Sequence, residues 1–90
     1  MREGLDLVVV KAFGYIADII GWDKKNVELE SPTMLLELLE KILEQKKLTI
    51  ITELIERRQA KIMINGMEAG LTSMVHQEDE IALIPLPSGG

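Results

Sequence analysis

Two short segments at opposite ends of this chain are apolar on both of their faces, and they restrict the fold more than any other feature of the sequence. In the first, Leu5, Leu7 and Val9 alternate with Val8, Val10 and Ala12; in the second, Ile81 and Leu83 alternate with Ala82 and Ile84. Successive side chains of a strand point to opposite faces, so a strand that is apolar at every position has no face to give to water. Both segments are therefore expected inside a sheet. The simplest arrangement pairs the two ends of the chain side by side and covers one face with a helix.

The residues between them supply that cover. Leu35, Leu38, Leu39 and Ile42 recur at i, i+3, i+4 and i+7 after a Ser31-Pro32-Thr33 entrance, where Ser31 or Thr33 is expected to cap a main helix. Glu37, Glu40, Lys41 and Glu44 form its outer face, and Lys46 and Lys47 are placed at its end, where the helix dipole favours cations. A shorter helix is expected over residues 49–58. One or two helical turns carry Tyr15, Ile16, Ile19 and Ile20 and close at Gly21.

Asn26 to Glu30 alternates with Val27 and Leu29 inward, which predicts a half-exposed strand hairpinned to the first. Ala60 to Asn65 predicts another, with Ile62 and Ile64 inward, and Asn65-Gly66 signals a tight type I′ turn. A loop anchored by Leu71 and Val75 leads to the last strand. The expected class is α+β: a mixed sheet of four to five strands, one long helix packed on one face, and one or two short helices.

Beyond Ile84 the chain reads Pro85-Leu86-Pro87-Ser88-Gly89-Gly90. Each proline holds φ at about −65° and removes a backbone donor, so this segment is expected to leave the sheet. Residues 1–84 form the expected head and 85–90 a projecting tail. Six extended residues reach at most roughly 20 Å, far enough to enter a partner's active site. A diglycine lacks Cβ atoms and threads a narrow channel. The alternative for Gly89-Gly90 is a flexible or truncated end.

Composition removes several classes of function. A net charge of −5, from 15 acids against 10 bases, gives no footprint for phosphate backbones, and Phe13, Tyr15 and Trp22 are too few to stack bases. No nucleic acid partner is expected. Without cysteine there is no disulfide, thiolate nucleophile or cysteine metal site, which suits a reducing cytoplasm. His76 stands alone and Ser88 has no catalytic partner, so no catalytic residue, bound cofactor or metal ligand is assigned. Apolar runs are too short to cross a bilayer and Met1-Arg2-Glu3-Gly4 lacks the character of a signal n-region. No membrane partner is expected, and the location expected is cytoplasmic.

The order of these features is similar to that of the ubiquitin-like sulfur-carrier family. The strand ending in Phe13-Gly14, the short helix 15–21, the Pro32-Thr33 entrance, the Ile64-Asn65-Gly66 hairpin, Asp79-Glu80-Ile81-Ala82 and the terminal Pro-Ser-Gly-Gly carry the resemblance. It is closest to small subunits of molybdopterin synthase, of the MoaD and ThiS type, and it implies a β-grasp fold. Two departures stand out. The family commonly has glycine before the Asp-Glu pair, where this chain has Glu78, and Pro-Pro-Val where it has Pro85-Leu86-Pro87.

What the resemblance implies is a carrier without its own catalytic residues. A ubiquitin-activating-type enzyme, using ATP and magnesium, would adenylate Gly90, and a sulfur donor protein would convert it to a thiocarboxylate. The large subunit of molybdopterin synthase would then receive the tail, Pro85 to Gly90. A protein modifier, or a carrier for thiamine or tRNA thiolation, is the alternative. Docking calls for an apolar patch on the sheet face that the helix leaves open. Its candidates are Phe13, Met63, Met67 and Met74, with Leu86 for a partner's pocket; core packing is the competing role for Phe13 and the methionines. The acidic run Glu78-Asp79-Glu80 reads as a solvated turn or as a contact for a basic patch.

Overall fold

The computed structural model describes residues 7–87. Its first strand, β1 (Leu7–Ala12), leads into a short helix α1 (Gly14–Ile20) and then β2 (Lys24–Glu28), which pairs antiparallel with β1. A two-residue strand β3 (Thr33–Met34) precedes the helices α2 (Leu35–Ile42) and α3 (Gln45–Glu56). The chain ends in β4 (Ala60–Ile64), β5 (Met67–Ala69), β6 (Met74–Val75) and β7 (Glu80–Pro85). The main sheet has the order β2-β1-β7-β4-β5, and β3 pairs with β6 in a separate ribbon.

The expected pairing of the two chain ends is present: β1 and β7 run parallel, with Val10 beside Ile81 and Ala12 beside Leu83. Val8, Val10, Ala12, Ile81 and Leu83 are buried against the helices. The other face differs from expectation. Leu7, Val9 and Lys11 of β1, and Ala82 and Ile84 of β7, are half-buried, because all three helices cover the same side. Leu5 lies outside the described residues.

The helices also divide differently. Leu35, Leu38 and Leu39 are fully buried as their spacing requires, but α2 stops at Ile42 and α3 is the longer helix. Leu43 and Glu44 are extended, although the break contains neither glycine nor proline. At about 100° per residue, an unbroken helix would place Leu48, Ile51 and Ile55 roughly opposite the stripe of Leu35, Leu38 and Ile42. The break turns the second stripe back to the core, where Leu48 and Ile51 are buried.

Neither Ser31 nor Thr33 caps α2. Thr33 lies in β3, and the first amides of the helix, Leu35 N and Leu36 N, donate to the carbonyls of Ser73 and Leu71 at 2.9 Å each. Carbonyls of a distant loop thus replace the side-chain cap. Val75 is buried as expected, with Leu71 partly so. Lys47 is likewise reassigned. It sits in the first turn of α3 and its Nζ donates to Ile20 O, 3.2 Å away, at the C-terminus of α1. The cation meets a helix C-terminus as the dipole favours, but the helix is α1.

The Asn65-Gly66 turn is formed as predicted, with φ of 52° and 82° at its two residues and Ile64 opposite Met67. Asp79 ties this turn to the start of β7. Its Oδ1 accepts from Asn65 Nδ2 and its Oδ2 from His76 N, both at 2.7 Å, while Asn65 Oδ1 accepts from Glu80 N at 2.9 Å. Glu78 and Glu80 are exposed, as a solvated turn requires, while the half-buried Asp79 braces that turn and Glu80 pairs with Lys11 at 2.7 Å.

Glu78 holds φ at 73°, in the left-handed region. A side chain there costs about 1 kcal/mol, against a somewhat smaller gain in chain entropy when glycine replaces it. Glu78→Gly is expected to raise stability by about 0.5 kcal/mol, or roughly 3 °C in a domain of this size. Thermal denaturation followed by circular dichroism checks it; a lower Tm would show that Glu78 makes a compensating contact.

Candidate functional site

The sequence directs attention to the end of β7 and the residues that follow it. The strand continues one residue further than expected, since Pro85 pairs with Ala60 of β4 and Leu86 N donates to Gln59 O at 2.9 Å. The reason is which way the backbone groups point. Asp79 O and Leu83 O accept from Val9 N and Phe13 N, whereas Glu80 O and Leu86 N bond to Asn65 and Gln59. Odd-numbered residues of β7 thus address β1, even-numbered ones β4. Pro85 directs its missing donor to the side where β1 has already ended, so the ladder to β4 loses nothing.

Three elements meet at this point. Pro85 lies against Gly14, the first residue of α1, so closely that a Cβ on Gly14 would come within 2.9 Å of Pro85 Cγ. Gly14 also has φ of 55°, which only glycine holds without strain. From α1, Tyr15 donates its hydroxyl to Gln59 O at 2.7 Å. Gln59 is held in turn by its own amide, bonded to Leu54 O at the end of α3. Leu86 is partly buried in a depression of about 400 Å³ that it shares with Ile55, Arg58, Ala60 and Lys61. Pro87 is exposed. Ser88, Gly89 and Gly90 lie outside the described residues.

The uncovered sheet face adjoins this root. By register it carries Val9 and Lys11 of β1, Ala82 and Ile84 of β7, and Lys61 and Met63 of β4. Of the four residues named as a partner surface, Met63 lies here, opposite Ala82, and the extended Phe13 continues the alternation of Val9 and Lys11 at the edge of the same face. Phe13 is 46% exposed at the end of β1, with Lys11, Asp23 and Lys24 around a depression of about 250 Å³, so it is not a core residue. Met67 is 73% exposed but sits opposite Ile64, whose partner is the buried Ile81, and so belongs to the helix side of the sheet. Met74 lies in the β3-β6 ribbon. All four are exposed or half-buried; Met63 and Phe13 share the open face, and Met67 and Met74 lie off it.

Among the described residues, no group of three or more His, Cys, Asp or Glu is placed to hold a metal ion, and no helix is long and apolar enough to cross a membrane. His76 is exposed, with Nδ1 3.8 Å from Asp79 Oδ2. Tyr15 and Gln59, which sequence reasoning passed over, are 44 residues apart and meet only through the fold.

A five-stranded mixed sheet with its helices on one face, emitting its last strand beside its first, is the β-grasp architecture of ubiquitin-like proteins. The chain belongs to the ThiS family of ubiquitin-like sulfur carriers, whose model matches residues 10–90. Among solved structures it is similar to a putative molybdopterin converting factor subunit 1 from Pyrococcus furiosus, with a TM-score of 0.66 and 22% identity over 88% of this chain and 95% of that one. It is also similar to small archaeal modifier protein 1 from Methanosarcina acetivorans, with a TM-score of 0.63 and 24% identity over 98% and 100%. A third likeness is to a complex of subunits 1 and 2 of molybdopterin-converting factor from Helicobacter pylori, with a TM-score of 0.52 and 24% identity over 93% and 99%. A search of curated proteins finds no match.

Substituting Gly14 tests the contact that shapes the root. Gly14→Ala combines a left-handed side chain with displacement of Pro85, and is expected to cost about 1–2 kcal/mol. Chemical denaturation measures the loss, and an unchanged midpoint would mean that Pro85 moves aside freely.

Proposed function

We propose that this chain is a sulfur carrier acting as the small subunit of a molybdopterin synthase, with residues beyond Leu86 projecting from the head to deliver the Gly90 carboxyl. One observation supports this reading above the others. The root of the tail is braced by α1, by the turn after α3 and by β4, as a domain built to present its end requires. A free carboxylate is ionised at neutral pH and is a poor electrophile. Activation begins when a carboxylate oxygen of Gly90 attacks the α-phosphorus of ATP in a ubiquitin-activating-type partner, which displaces pyrophosphate. The acyl adenylate is then attacked by a sulfur nucleophile, AMP leaves with the oxygen, and a C–S bond stands where C–O stood.

The head contributes binding and orientation. A tail that departs from a fixed root enters the partner's site with fewer orientations to lose, and the sulfur stays sequestered from water until it meets the acceptor. The uncovered face, with Val9, Met63, Ala82 and Ile84 beside the root, is the docking surface in this reading. Assembly of a subunit 1 with a subunit 2 in the Helicobacter pylori complex supports a large-subunit partner. The likeness to a small archaeal modifier protein favours a second reading, in which Gly90 forms isopeptide bonds with lysines of other proteins.

Intact mass after incubation with the activating enzyme, ATP, magnesium and a sulfur donor separates the two. A carrier gains about 16 Da as sulfur replaces oxygen. Conjugates to larger proteins without that species support the modifier, and deletion of Gly89-Gly90 is expected to abolish either outcome. If the deletion alters neither cofactor synthesis nor conjugation, the chain is an interaction module only.

Met63→Asp tests the docking face. It is expected to weaken binding to the synthase large subunit by about 1–3 kcal/mol in calorimetry while leaving the head folded, since it desolvates a charge at the centre of the interface. Unchanged affinity would move the docking surface elsewhere.

A further inference from the structure

The bonds at the tail root converge on one atom. Gln59 O accepts from Leu86 N at 2.9 Å and from the Tyr15 hydroxyl at 2.7 Å. The hydroxyl bonds at Thr33, Thr49, Thr52 and Ser73 each span four residues or fewer. Tyr15 reaches across 44. Its side chain is not there to fill the core, because the residue is 42% exposed while its neighbour Ile16 is fully buried. What the tyrosine adds to α1 is a hydroxyl aimed at the carbonyl that holds the tail.

Resting on the reading above, we infer that Tyr15 is a positioning residue for delivery of the terminal carboxyl. Its hydroxyl fixes the Gln59 carbonyl in the orientation that binds Leu86, and so sets the direction in which the following residues leave the head. Four residues, Pro87 to Gly90, follow Leu86. Extended, they form a lever of roughly 13 Å, so a swing of about 10° at the root moves the carboxyl by roughly 2 Å. Misplacement of about 1 Å can reduce a reaction by a factor on the order of 100. Pro85 against Gly14 resists rotation on one side of the strand, and the Tyr15–Gln59–Leu86 chain of bonds resists it on the other.

Tyr15→Phe removes the hydroxyl and keeps the ring. The full-length variant is compared with wild type and with Ile51→Val, which trims a fully buried residue of α3 that makes none of these bonds and serves as a control for lost stability. Amide exchange at Leu86 is expected to accelerate roughly five-fold in Tyr15→Phe, beyond any change at core amides, as one support of the bond is lost. In ATP–pyrophosphate exchange with the activating enzyme, kcat is expected to fall roughly ten-fold with little change in KM for the carrier, because docking is intact and alignment is not. Ile51→Val is expected to change neither. Equal Leu86 exchange and equal kcat in Tyr15→Phe and wild type would overturn the inference, as would the same loss of kcat in Ile51→Val. If the wild-type chain is not adenylated, the carrier reading itself fails, and Leu86 exchange still decides whether Tyr15 holds the root.

Discussion

The parallel pairing of β1 with β7 is the constraint on which the rest of the structure depends. Parallel neighbours cannot be joined by a tight turn, so everything between them must act as a crossover. Here that crossover is nearly the whole chain. It contributes three helices to one face, β2 to one side of the sheet and the β4-β5 pair to the other, and β1 and β7 lie between them. The same pairing makes β1 and β7 finish at the same end of the domain. The start of α1 therefore stands directly beside the exit of the last strand, which is why Gly14 and Tyr15 are within reach of Pro85 and Gln59.

Unequal use of the two sheet faces follows from that crossover. With all helices on one side, Val8, Val10, Ile81 and Leu83 are sealed, and the alternate residues Val9, Ala82 and Ile84 are left half-covered by one another. The open face keeps an apolar centre of Val9, Ala82, Ile84 and Met63 among charged residues such as Lys11 and Lys61, next to the end of β7. For a domain whose proposed work is to dock and to hand over its carboxyl, the head and tail contacts lie side by side by construction.

Periodicity was the reliable guide to the elements. The 3.6-residue stripe of Leu35, Leu38, Leu39 and Ile42, the strand at Ala60–Ile64 and the Asn65-Gly66 turn are set by local spacing and local φ preference, and each is present. Expectation failed where a distant group supplied what a local one was expected to. Carbonyls of Leu71 and Ser73 took over the cap of α2, and Lys47 went to α1. The break at Leu43 was legible in principle, as the two apolar stripes on either side are out of phase by about half a turn. The ribbon of β3 and β6 was not, because two residues are too few for a period.

Taken alone, the sequence determined a two-sided strand at each end, amphipathic helices between them and a tight hairpin, because these are consequences of residue spacing and of glycine backbone chemistry. Only the tertiary structure decided which face of the sheet stays open, how far the last strand runs, and what holds its end. Those depend on contacts such as Tyr15 to Gln59 and Gly14 to Pro85, between residues that no local rule relates and that meet only when the sheet closes.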